Sequence, residues 1–217
     1  MNTSSPNTPA GPYQDTAANS IYALLFGDDP RLIQASADAT PGSLWSVLTS
    51  AATAESDLRQ IAEDLTLETR VRLMAYHILR TNDYPVGDRD LLAVIVEVGM
   101  DDGLDVLASY LDGTARYINY TGKMIIWDAP DQTSREITHQ LFGDSKIILG
   151  RIGPWDGPRR PYPPKGVVRI SFLAADGLYF GEGQVNVLFN DTLAAPALSS
   201  ATALMQYLVN SAEKQQI

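Results

Sequence analysis

The stretch TARYINYTGKMIIWD, residues 114–128, decides the fold. Its apolar and aromatic residues fall into two short runs, ARYIN and MIIWD, separated by YTGK, where Gly122 supplies the backbone freedom of a tight turn. That pattern predicts a β-hairpin. A second hairpin follows further along: VVRISFLA (167–174) alternates as a strand, Asp176-Gly177 turns it, and LYFGE (178–182) returns. Residues 184–188 extend the pattern as a further short strand.

Helical periodicity follows each hairpin. Thr133-Ser-Arg-Glu136 matches a capping box, in which the Thr hydroxyl and Glu carboxylate satisfy the orphan amides of a helix start. Ile137, Leu141, Ile148 and Ile152 keep one face, predicting a helix over 134–152, with a strand at 146–152 as the alternative reading. Leu198, Ala201, Met205, Leu208 and Ala212 predict a last helix. Two hairpins, each followed by a helix, imply an antiparallel sheet with two long helices packed on one side.

Upstream of Thr114 the spacing reads as helical. Ile21, Leu24 and Leu25 share a face before Gly27, Asp29-Pro30 resembles a cap, and a short helix is expected from Ser43. Leu58, Ile61 and Leu65 make another stripe. Leu67, Val71, Met74 and Ile78 predict a helix over 66–81, closed by Asn82-Asp83-Tyr84-Pro85. The apolar run Leu91–Val98 reads as a central helix capped by Asp88, and Leu104, Leu107 and Leu111 as one more. The expected fold class is therefore α+β. An irregular helical bundle (16–113) precedes an antiparallel β-sheet half with two long helices packed on it (114–217), and residues 1–15 form a disordered tail.

Composition narrows the function classes. The 217 residues are 45% hydrophobic and 19% charged, ordinary for a globular chain. The absence of cysteine excludes disulfides, thiolate metal sites and cysteine nucleophiles. His77 and His139 stand alone, and the acidic Met100–Asp105 stretch lacks the alternating ligands of a calcium loop, so neither metal nor cofactor is expected. There is no signal-peptide pattern and no apolar run of ~20 residues, which gives a cytoplasmic reading without membrane contact. A net charge of −10 argues against nucleic acid. That charge is uneven: residues 1–113 hold 6 Lys and Arg against 17 Asp and Glu, whereas 114–217 hold 10 against 9.

The exception to the acidity is RIGPWDGPRRPYPPKG, residues 151–166, with five prolines between 154 and 164. Arg151, Arg159 and Arg160 offer forked donors to a phosphate or carboxylate, and Trp155 and Tyr162 offer stacking faces, so these five are the candidate ligand-binding residues. The competing reading is a stiff polyproline strap, with Trp155 plugged into the core and the arginines neutralised by acids of the first half. The charge asymmetry favours the strap.

Catalytic signals are sparse. His139 and Glu182 are the candidates for proton transfer, but no nucleophile elbow or phosphate-binding glycine pattern accompanies them. The reading is a non-catalytic, bacterial-style protein-binding or regulatory module rather than an enzyme. A protein partner or self-association through the 114–128 hairpin edge would serve it. The alternative is a small-molecule enzyme or ligand-binding protein, with an anionic ligand held at 151–165.

Overall fold

The structure is a computed structural model and describes residues 11–34, 44–50 and 53–215. A six-stranded antiparallel sheet organises it. In chain order the strands are β1 (Leu91–Gly99), β2 (Leu104–Tyr110), β3 (Ala115–Ile118), β4 (Met124–Trp127), β5 (Val167–Ala174) and β6 (Gly177–Gln184). In space they run β4-β3-β2-β1-β5-β6, so β2 and β1 are central. The class is mixed α+β, with helices flanking an antiparallel sheet.

Both expected hairpins form, as β3–β4 and β5–β6, and Gly122 turns the first at a φ of 85°. The expected helices over 91–98 and 104–111 are instead β1 and β2. The reason is burial: every residue of β1 except Val98 is buried, so both faces are apolar and LLAVIVEVG shows no period-two alternation. Such a run is indistinguishable by period from a buried helix, and its β-branched valines and isoleucine decide for the strand. The 113/114 boundary falls in the turn between β2 and β3, which are hydrogen-bonded neighbours.

The two long helices, α6 (Gln132–Leu149) and α8 (Ala195–Gln215), pack together on one face of the sheet. Leu141, Leu198, Leu204 and Leu208 meet Val94, Val168 and Phe172 there. Asp131, not Thr133, caps α6: its Oδ1 accepts from the Ser134 N–H at 2.8 Å. Residues 185–188, expected to be a strand, form the single helical turn α7 (Val185–Leu188).

The opposite face is covered as well. Helix α1 (Thr16–Leu24) sets Ala18 and Tyr22, followed by Leu25 and Phe26, against Ile95, Leu104, Val106 and Ile118. Helix α5 (Thr69–Thr81) turns Leu73 to the same core and Met74, Ala75 and Leu79 outward. There α3 (Leu44–Thr49) and α4 (Glu55–Glu63) close a third apolar cluster around Leu48, Leu58 and Ile61. The four-residue α2 (Arg31–Gln34) follows Asp29, which accepts from the Arg31 N–H at 3.0 Å. Of the expected N-terminal tail, residues 1–10 lie outside the described residues, while 11–15 are packed: Tyr13 is buried and donates its hydroxyl to the Leu104 carbonyl at 2.9 Å.

Candidate functional site

A row of three charged residues crosses the α1 face of the sheet. Glu97 of β1 pairs in register with Arg169 of β5, and Arg169 with Glu182 of β6. Glu97 is fully buried and Arg169 nearly so. The Arg169 guanidinium is held against Glu182 and lies 3.6 Å from Glu97 Oε2. From α1, the Tyr22 hydroxyl donates to Glu97 Oε1 at 2.6 Å. A charge this deep is tolerated only when paired and hydrogen-bonded. Burial nonetheless pushes the Glu97 carboxyl above its ordinary range, against the hydrogen bond from Tyr22 and the Arg169 and Arg159 charges.

This row anchors the proline-rich segment. Arg169 Nη2 donates to the Pro161 carbonyl at 2.7 Å, and Nη1 reaches the Arg160 carbonyl at 3.4 Å. The flanking backbone is tied too. The Trp155 N–H donates to the Leu178 carbonyl at 2.7 Å and the Gly166 N–H to the Gly99 carbonyl at 2.9 Å. At Gly99 the two chains nearly touch, because a Cβ there would stand 2.0 Å from the Pro164 carbonyl oxygen. Prolines limit the alternative conformations of the segment, and these anchors select one.

Three of the loop cations are paired. Arg159 lies over the Phe26 ring, 4.0 Å from its centroid, and its Nε sits 3.3 Å from Asp28 Oδ2. Arg160 meets Glu182 at 3.2 Å, and Lys165 pairs with Asp101. Arg159 and Lys165 thus meet acids of the first half, whereas Arg160 meets Glu182 of the second. Trp155 is no core plug: it is 41% exposed, lies edge-on to Phe180, and donates Nε1–H to the Pro158 carbonyl at 2.9 Å. Tyr162 is 40% exposed and Arg151 exposed, so of the five candidates only Trp155 and Arg159 come together.

They meet at a cavity. Between the end of α1, the end of α5 and the strap lies a hollow of about 750 Å³. Trp155, Pro158 and Arg159 wall it on the strap side, and Asp28, His77 and Arg80 on the helical side, with Asp176 from the β5–β6 turn. His77 and Arg80 sit three residues apart on α5 and so share its face. Arg80 is fixed by donating Nη1–H to the Ala175 carbonyl at 2.6 Å. Burial, and then the Arg80 charge, lower the His77 pKa below its usual value, with Asp28 and Asp29 opposing. That shift favours the neutral imidazole. Asp83, at the rim, holds a left-handed φ of 58°.

Three polar atoms of these lining residues are buried without a hydrogen-bond partner among the described residues: Asp28 Oδ1, Asp176 Oδ1 and Arg159 Nη1. An unsatisfied buried polar atom costs roughly 1–3 kcal/mol, more when charged.

The proton-transfer candidates lie elsewhere. His139 is exposed on α6, beside Arg135 and Glu136, and Glu182 is spent on Arg160 and Arg169. Among the described residues no group of three or more His, Asp or Glu is placed to hold a metal ion, and no helix is long and apolar enough to cross a membrane. Sequence reasoning missed Glu97, Arg169, Asp28, Arg80 and Asp176, and used His77 only to argue against a metal site. One signal was available: Glu97 and Arg169 are charges set inside otherwise apolar strands, where only a buried pair is stable. No family model, curated protein or solved structure matches the chain, so its chemistry is argued from this geometry.

Proposed function

We propose that the protein is a non-catalytic binding module that takes a small-molecule ligand into the cavity between α1, α5 and the strap. One observation carries the reading: a hollow of about 750 Å³ brings Asp28, His77, Arg80 and Asp176 opposite Trp155 and Arg159 of the anchored strap. That volume lies within the range of ligand pockets. Its strap wall is prefixed by Arg169, Gly99 and Leu178, which lowers the ordering cost of binding. The hollow lies where the acidic first half meets the basic loop. The arginines do not form an open anion clamp, because Arg159 and Arg160 already face carboxylates.

A protein partner is the second reading, favoured by the exposure of Trp155 and Tyr162 on an anchored segment. Aromatic anchors of that kind dominate protein interfaces.

A thermal-shift screen of metabolites on the wild type and Thr81→Trp separates the two. Thr81 is exposed and lines the cavity, so an indole there occupies it. A compound at ~100 times its Kd adds about 2.7 kcal/mol to the wild type. The cavity reading expects that gain to vanish in Thr81→Trp. Equal gains in both proteins, or none in either, contradict it.

A further inference from the structure

A second hollow, of about 270 Å³, lies between the exposed face of α6 and the β2–β3 turn. It shares no lining residue with the cavity between α1, α5 and the strap, so the two sites are independent. Arg135, His139 and Lys146 line it from α6, and no Asp or Glu does. At spacings of four and seven residues the three side chains keep one side of the helix. Most of the chain's 16 Lys and Arg side chains are ion-paired, but among the described residues Arg135 and Lys146 are not. A solvated helix face ordinarily interleaves both signs. Here the carboxylates of α6 face other partners. Glu136 accepts from Gln132 at 2.9 Å, and Asp144 from Gln140 at 2.9 Å and Ser200 at 2.8 Å.

Arg135 is positioned with its fork open. Its Nε donates to the Pro130 carbonyl at 3.2 Å, and its Cγ lies 3.6 Å from the place of a Cβ on Gly113, which turns the chain at a φ of 87°. Neither terminal nitrogen has a partner among the described residues. Gly143 adds an independent sign. Glycine inside a helix weakens it relative to alanine. No packing calls for one here, since no atom lies within 4 Å of a Cβ at this position. The missing side chain opens the hollow between His139 and Lys146 and lets a ligand approach the helix backbone. Leu111, 46% exposed, and Phe142 supply an apolar wall.

We infer that this hollow binds the phosphate monoester of a small organic compound. Such a group carries close to two negative charges at pH 7, which balances the Arg135 and Lys146 cations. The forked guanidinium takes two of its oxygens, and the His139 ring N–H a third. The organic part lies on Leu111 and Phe142, over Gly143. The size fits: the hollow is just under the ~300–1,000 Å³ of drug-sized pockets.

The two histidines tell the two sites apart. His139 lines this hollow and His77 the cavity beside α5, so their imidazole C–H signals in proton NMR report each site alone. His139→Gln assigns them. At fixed pH, phenyl phosphate is expected to shift the His139 signal in a saturable way and to leave His77 in place. Benzylamine and benzyl alcohol shift neither signal. Inorganic phosphate and benzoate need about ten-fold higher concentrations or more. Arg135→Gln and Lys146→Gln, at exposed positions, each weaken the phenyl phosphate response by about ten-fold or more. Gly143→Leu fills the hollow and abolishes it. Lys123→Gln, an exposed cation at the far end of β3, leaves it unchanged.

Absence of saturation by phenyl phosphate overturns the inference, as does equal saturation by inorganic phosphate, which marks an adventitious ion only. A response unchanged in the α6 variants, or lost equally in Lys123→Gln, overturns it too. A shift of His77 in place of His139 does the same, and supports the cavity reading.

Discussion

Arg169 donates to the carbonyl of Pro161 at 2.7 Å while its guanidinium is paired with Glu182, so one buried cation joins the sheet to the proline-rich strap. Removing it leaves the buried Glu97 with only the Tyr22 hydroxyl, and Glu182 with only Arg160. Arg169→Ala is expected to cost about 3–5 kcal/mol in urea unfolding. Arg169→Lys recovers only part of that loss, since an ammonium cannot serve carboxylate and carbonyl in the same forked geometry. In both variants the amides of 151–165 exchange faster than the rest of the sheet, which hydrogen exchange reads directly.

Gly99 tests the strap from its backbone side. A methyl group there would collide with the Pro164 carbonyl, and backbone cannot move aside as a flexible side chain can. Gly99→Ala is expected to destabilise by roughly 1–3 kcal/mol. The loss comes with disorder at Lys165 and Gly166, whereas Gly143→Ala, where no atom lies within 4 Å of the added Cβ, shows none.

The raised pKa of Glu97 makes the buried row sensitive to pH. The folded state holds this proton more tightly than the unfolded chain, whose carboxyl titrates near 4.5. Its contribution is complete below that pH and is lost as pH rises through the folded value. Tyr22, Arg169, Arg159 and Glu182 are the polar groups that set that value. Glu97→Gln removes the component, so the stability difference between variant and wild type shifts in favour of the variant from about pH 5 to about pH 8. Chemical unfolding at the two pH values measures it.

Alkaline conditions act on the tyrosines. Burial raises Tyr13, Tyr22 and Tyr110 well above their ordinary value of 10.0, and raises Tyr117 and Tyr179 to about 12. A raised folded pKa means stability that is intact below pH 10 and falls as pH climbs toward the folded values. Tyrosinate absorbance should therefore appear in two stages, exposed phenols first and the buried ones together with loss of the far-ultraviolet signal. Smooth titration of all ten tyrosines without unfolding contradicts this.

Where local pattern carries the structure, the sequence was readable. The 114–128 and 167–184 hairpins set a turn glycine, Gly122 and Gly177, between two strand-like runs, and the two long helices carry apolar stripes, so both show in the residues themselves. β1 lost that signature because it is buried on both faces, and β2 went with it. The cavity was invisible for a different reason. Asp28, His77 with Arg80, Asp176 and the strap come from four separate stretches, and only tertiary packing brings them to one hollow. The arginines of the loop marked its neighbourhood, while the carboxylates that oppose them had no sequence pattern.

The most direct test of the account is an experimental structure with the best-stabilising compound from the thermal-shift screen bound. The account predicts its density between Trp155, His77 and Arg80. Density on the outer face of the strap at Tyr162, with the cavity unchanged, would contradict it.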